Sequence, residues 1–90
     1  MRARMTPDGA QTIALKALAF VASSEGALDR LMELSGLDRL TLAERVGEPE
    51  VLASLLDFLL ADEGLLVDFC QDESVDPKDV HMARHLLGGP

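Results

Sequence analysis

An all-α fold, built as a compact bundle of five to six short helices, follows from three features of this chain. Its apolar residues are mostly Leu and Ala, which favour helices, and β-branched residues are few. Aromatic residues are limited to Phe20, Phe58 and Phe69, so a core must be assembled from aliphatic side chains. Pro and Gly interrupt the apolar runs at intervals that suit helices. Ninety residues make one domain, and 48% apolar content lies far above the disordered regime. The expected organisation is a disordered segment at 1–7 followed by a single helical domain over 8–88.

A first helix is expected to run to about Ala22. Thr6 can cap it, and Pro7 suits the first helical position. Ile13, Leu15, Leu18, Phe20 and Val21 spread around its circumference. Ala14, Ala17 and Ala19 fill the gaps and permit close helix approach, while Gln11, Thr12 and Lys16 mark a wet side. Ser23 and Ser24 offer N-caps for a second helix over about 25–35, with Leu28, Leu31, Met32 and Leu34 on its apolar face. Gly36 stands where a left-handed C-cap residue belongs, and Leu37 can make the accompanying hydrophobic contact. Thr41-Leu42-Ala43-Glu44 is a capping-box pattern for a short third helix that ends at Gly47.

Glu48-Pro49 restarts the chain into a fourth helix that runs to about Ala61. Glu50, Ser54, Asp57 and Ala61 fall on one narrow stripe of it. Val51, Leu52, Leu55, Leu56, Phe58, Leu59 and Leu60 cover the remainder. That apolar arc is about twice the usual one of ~100°, which predicts a helix packed on two sides at the centre of the domain. Asp62 can cap a fifth helix carrying Leu65, Leu66, Val67, Phe69 and Cys70, which fades into Gln71–Ser74. Asp76-Pro77 is a further cap and first-position pair, and Asp79 adds negative charge in the favourable first turn. The last helix is expected to reach about Leu87 and stop at Gly88-Gly89-Pro90.

The charge pattern bounds function more than any motif does. Net charge is −8, and between Arg45 and Lys78 there is no cation at all, while nine acidic residues crowd the same span. Residues 40–66 nevertheless have a helix-turn-helix cadence: a short helix, a Gly turn, then a second helix. A DNA-reading helix needs cations to neutralise phosphates, and this one has none. Nucleic acid and anionic membrane are therefore expected to be excluded as partners. A nucleic-acid-binding regulator with helix-turn-helix geometry is the alternative, with Arg2, Arg4, Arg39 and Arg45 supplying the contacts.

The N-terminus, with Arg2 and Arg4 before the apolar run at 13–22, faintly resembles a secretory signal. Lys16 within the run, and Pro7-Asp8-Gly9 before it, favour an amphipathic or buried helix instead, and the run is too short to cross a membrane. With Cys70 the single cysteine, no internal disulfide can form, and a cytoplasmic home is expected.

Candidate chemistry is sparse. His81 and His85 stand four apart, a spacing at which two imidazoles can share a metal. They fall on the polar arc beside Lys78 and Arg84, opposite Val80, Ala83, Leu86 and Leu87, and cationic neighbours oppose a divalent ion. No metal and no cofactor is expected. A nucleophilic Cys70 would need a nearby base and a lowered pKa. Among Leu66, Val67 and Phe69, with Asp68 and Asp72 close in sequence, it reads as an inert core or boundary residue. The carboxylate pairs Glu48/Glu50, Asp62/Glu63 and Asp72/Glu73 read as helix caps and solvated surface. No Gly-rich phosphate loop and no recognisable Ser-His-Asp frame is present.

The segments ALKALAF at 14–20, SGL at 35–37 and DFLLADEGLLVDF at 57–69, with Asp76-Pro77 and Ala83-Arg84, resemble a family of small all-helical proteins from alphaproteobacteria. That family is known only as a domain of unknown function. The likeness extends over about 11–87. It implies a small all-α fold in a bacterial cytoplasm, and it implies no catalytic or binding residue.

The first and fourth helices carry more apolar arc than a small monomer easily covers. The excess can serve a homodimer seam or a groove for a partner helix, or it can be absorbed by an efficient core. The expected function is a non-enzymatic protein–protein interaction module that binds a protein partner or itself. Its possible interaction surface is the stripe Glu50, Ser54, Asp57 and Ala61.

Overall fold

The computed structural model describes residues 5–24 and 26–88, and these form six α-helices: α1 Pro7–Ser23, α2 Ala27–Ser35, α3 Arg39–Arg45, α4 Pro49–Leu60, α5 Glu63–Glu73 and α6 Pro77–Gly88. No strand occurs among the described residues. The bundle expected from the sequence is the one observed. Of the segment expected to be disordered at 1–7, the first four residues lie outside the described ones. Met5 packs on the core, Thr6 accepts a hydrogen bond from the Gly9 amide at 3.0 Å, and Pro7 opens α1.

The helix starts show which cap patterns act. Thr6, Asp38 and Asp62 each stand in extended backbone and accept a first-turn amide, which removes one of the four unpaired donors of a helix start. The expected capping box at Thr41 does not form. Asp38 caps α3 instead, taking the Thr41 amide at 2.8 Å, so the helix begins two residues before Thr41. A carboxylate at the first extended position competes well against a hydroxyl three residues later. The expected caps Ser23 and Ser24 also act differently. Their hydroxyls donate back to the carbonyls of Ala19 and Phe20 and close the end of α1. The residue that precedes α2 is Gly26, left-handed at φ 80°, with no side-chain cap. Glu48 stands at the N-cap position of α4, but its carboxylate holds Arg45 at 2.7 Å rather than capping the helix.

Helix ends follow the same logic. Gly36 is left-handed at φ 74°, its amide reaches the Met32 carbonyl at 2.9 Å, and Leu37 beyond it packs on the core. Gly47 does not end α3 by a left-handed turn. α3 stops at Arg45, with Val46 still in the right-handed region. α5 ends within the span Gln71–Ser74 where the sequence has it fade. It continues to Glu73 and closes at Ser74, a non-glycine left-handed residue at φ 55°, where the Val75 amide bonds to the Cys70 carbonyl at 3.0 Å. The expected stop of α6 at Gly88-Gly89-Pro90 falls partly outside the described residues. Asp76 begins α6, taking the Lys78 amide at 2.9 Å.

Helices α1, α4 and α6 contact one another most extensively and form the core triangle. α2 leans on α1 and α4, and α5 on all three core helices. α4 is central, as its apolar arc predicts. Val51, Leu52, Ala53, Leu55, Leu56, Phe58 and Leu59 are all buried, whereas Glu50, Ser54 and Asp57 are exposed. Removing any of the fully enclosed leucines at 52, 56 or 59 would cost about 2–5 kcal/mol.

α1 turns a different face inward from the one its large residues suggest. Ala10, Ala14, Ala17 and Val21 are completely buried, at a spacing that puts them on one side. Leu15 is 41% exposed and Ala19 faces solvent. The alanine face lets α1 lie against α6, whose own buried residues are Val80 and Ala83. Ile13, Leu18 and Phe20 flank the contact, and Phe20 meets Phe69 of α5 edge-on with ring centroids 5.6 Å apart. The radius of gyration, 12.4 Å, is close to the about 12 Å expected for a compact chain of this length.

Polar links at the surface hold the outer helices in place. Arg30 of α2 donates to Asp62 Oδ2 at 2.8 Å, with its guanidinium carbon 5.5 Å from the centre of the Phe58 ring. The other Asp62 oxygen accepts the Leu65 amide at 3.1 Å. One carboxylate therefore starts α5 and fastens α2. The Arg30 hydrogen bond, then the Leu65 amide, hold the Asp62 carboxyl below the usual carboxylate range. Arg84 of α6 donates to Asp57 of α4 at 2.6 Å.

Two tests follow from this packing. Ala14→Leu is expected to cost about 2–3 kcal/mol because the α1 face has no space for it. Ala19→Leu should change stability by less than about 0.5 kcal/mol, and urea denaturation of both variants measures the difference. Asp62 has a depressed pKa, so its contribution is present above the unfolded value of about 3.9 and is lost as pH falls through the folded value. Asp62→Asn keeps a capping side chain and removes the charge. The wild-type protein should be the more stable at about pH 6 and should lose that margin as pH falls through the folded Asp62 value. A gap unchanged by pH would assign the Asp62 contribution to capping alone.

Candidate functional site

A groove of about 510 Å³ lies between α2, α3 and α4. Leu31 and Leu34 come from α2, Leu37 from its connection to α3, Leu42 and Arg45 from α3, and Glu50, Val51, Ser54, Leu55, Asp57 and Phe58 from α4. A short connection, Gly36 to Asp38, joins α2 to α3 and contributes Leu37 to the lining. Only Leu42 of α3 is buried, so this helix is lightly anchored and leaves the groove open.

Three of the four residues on the stripe read from the sequence line this groove. Glu50, Ser54 and Asp57 stand one turn apart along α4 and make one wall. Ala61 is exposed too, but it is the C-cap of α4 and lies beyond the groove. The opposite wall was not legible as such. Leu34 of that wall, placed by the sequence on the apolar face of α2, is 76% exposed; Leu40 of α3, outside the groove lining, is 69% exposed. The two most exposed large apolar side chains therefore belong to α2 and α3, with Leu15, Val67 and Met82 exposed to a lesser degree, whereas the wide apolar arc of α4 is consumed by the core. A leucine at the far end of a nine-residue helix, just before a glycine C-cap, was the available signal.

The groove holds no catalytic frame. Its polar residues are Ser35, Arg45, Glu50, Ser54 and Asp57, with neither His nor Cys among them. Arg45 is engaged by Glu48, whose carboxyl the Arg45 hydrogen bond keeps below the ordinary range. Asp57 is engaged by Arg84. His81 and His85 are exposed on α6, away from the groove, and no cluster of three or more metal-ligating side chains occurs among the described residues.

Cys70 is buried beside Phe69, consistent with an inert core cysteine. Burial chiefly raises its thiol pKa, and the anions that add to this are Asp76 and Asp79, not the sequence neighbours Asp68 and Asp72. After the turn at Ser74, the start of α6 returns close enough for Asp76 and Asp79 to act on the thiol.

The helix-turn-helix order survives only as cadence. In such a motif the second helix enters the major groove of the duplex. Here that helix is α4, whose buried residues make the core of the protein, and its exposed side carries Glu50 and Asp57. Of the cations proposed for DNA contacts, Arg2 and Arg4 lie outside the described residues, and Arg45 is paired with Glu48.

The chain belongs to a family of proteins of unknown function, DUF3572, whose model matches residues 7–90. Neither a curated protein nor a solved structure matches it. No helix among the described residues is long and apolar enough to cross a membrane.

The position of Cys70 has a direct chemical test. Iodoacetamide at about pH 8 should modify it far more slowly in the folded protein than in urea, because only the exposed thiolate reacts. Equal rates would mean that α6 does not cover the sulfur.

Proposed function

We propose that this DUF3572 protein is a non-enzymatic protein-interaction module, acting as one helical domain, and that the groove between α2, α3 and α4 is its docking surface. The observation that supports this is Leu34, three-quarters exposed at the edge of a groove whose floor is apolar. Exposed leucine beside a continuous apolar floor is surface that association would remove from water. Glu50, Ser54 and Asp57 supply a polar rim, the usual border of such a surface. A protein partner or a second copy of the chain would both satisfy this reading. The single, buried cysteine suits a reducing cytoplasm.

Ser54→Arg tests the proposal without touching the core, since Ser54 is exposed and central in the groove. Its stability should stay within about 0.5 kcal/mol of the wild type. In parallel affinity captures, at least one protein held by the wild type should be lost with Ser54→Arg. Should the wild type self-associate instead, light scattering should show the variant shifted to monomer. Identical captured sets, together with a monomeric wild type, would remove the groove as the functional surface.

A further inference from the structure

Resting on that docking reading, we propose that the groove receives an amphipathic helix of a partner protein, with large aliphatic side chains facing in and Lys or Arg flanking them. The shape argues for a helix. Every regular element among the described residues is helical, so no strand edge is offered for an extended peptide to join. The wall from Glu50 to Asp57 spans two turns, about 10.5 Å, which matches the i to i+7 reach of apolar anchors on a helix laid alongside. The floor between them is Val51, Leu55 and Phe58, which line the groove and are each at most 8% exposed.

The charge argues for a cationic flank. Arg45 on the α3 side is already neutralised by Glu48. Asp57 gives one oxygen to Arg84 and keeps more than half of its side chain exposed. Among the described residues Glu50 makes no ion pair, so the α4 wall presents net negative charge to whatever lies in the groove. A second copy would bring its own net charge of −8 against that wall, and nucleic acid or an anionic membrane would be repelled likewise. A helix with cations beside its apolar stripe meets both the floor and the wall.

The test uses synthetic peptides of about 14 residues as probes. One carries Leu at i, i+3, i+4 and i+7 with Lys elsewhere, a second replaces every Lys by Glu, and a third scrambles the Leu/Lys sequence. Affinities are read by fluorescence anisotropy at physiological salt, and binding is located by backbone amide shifts on the full chain. The Leu/Lys peptide should bind, with shifts centred on Leu34, Ser54 and Leu55, and the Leu/Glu peptide should be weaker by about tenfold or more. Ser54→Arg should weaken the Leu/Lys peptide by about tenfold, and Glu50→Lys should narrow or reverse the preference between the two charges.

A Leu/Glu peptide held in the groove as tightly as Leu/Lys would overturn the cationic partner while leaving the groove a docking surface. A scrambled peptide that binds equally, or shifts that map outside the groove, would overturn the helical partner. Concentration-dependent shifts at the same residues without peptide would make a second copy the occupant and overturn the proposal. Binding of neither amphipathic peptide would overturn this proposal; the docking reading beneath it falls only if the Ser54→Arg captures are also identical and the wild type is monomeric.

Discussion

The burial of α4 is the constraint on which the rest of the structure depends. Seven of its twelve residues are buried, and they point in nearly every direction except one. No single neighbour can cover such a helix, so the chain must return to it several times. α1 and α6 close around it from two sides, and α2 and α5 fill the remaining gaps. The alanine face of α1 belongs to the same solution. With three apolar helices meeting in a chain of 90 residues, small side chains at Ala10, Ala14, Ala17 and Ala83 let the axes approach closely and leave the volume to Leu52, Leu56, Leu59 and Phe69.

Charge in this protein serves that architecture. The cation-free span from Val46 to Pro77 carries its acids largely at helix starts and on the one wet stripe of α4. Asp62 and Asp76 accept amides of α5 and α6, and Asp62 also holds Arg30. These links are exposed, and each is worth little by itself. Their role is positional: Arg30 draws α2 onto Phe58, and Arg84 ties α6 to the rim of α4. Glu50, left without such a duty, gives the groove wall its net charge.

The same burial fixes what α4 shows to solvent. Most of its surface goes into the core, and the strip left exposed carries Glu50 and Asp57 rather than cations. What α4 does present is a strip two turns long, across the groove from the exposed Leu34 of α2. On the proposed docking reading, the apolar floor would meet another protein, and the acidic wall would favour a cationic one.

The residues alone determined the all-α class, the centrality of the fourth helix and the identity of its wet stripe, because these depend on periodicity and on local turn chemistry. Pro7, Pro49 and Pro77 at first helical positions, Gly36 at a left-handed cap and Asp62 at an N-cap all act locally, and all were legible. Where two local solutions competed, the chain alone did not decide. Asp38 displaced Thr41 as the cap of α3, and Ser23 and Ser24 turned back to α1 instead of starting α2. Only the tertiary structure decided that the alanines rather than the large residues of α1 face inward, that Leu34 and Leu40 stay in water, and that Asp76 and Asp79 rather than Asp68 and Asp72 crowd Cys70. Each of these depends on which helix lies beside which. That choice is set by mutual packing of distant segments, and hydrophobic burial, having no direction of its own, leaves no mark of it in the local sequence.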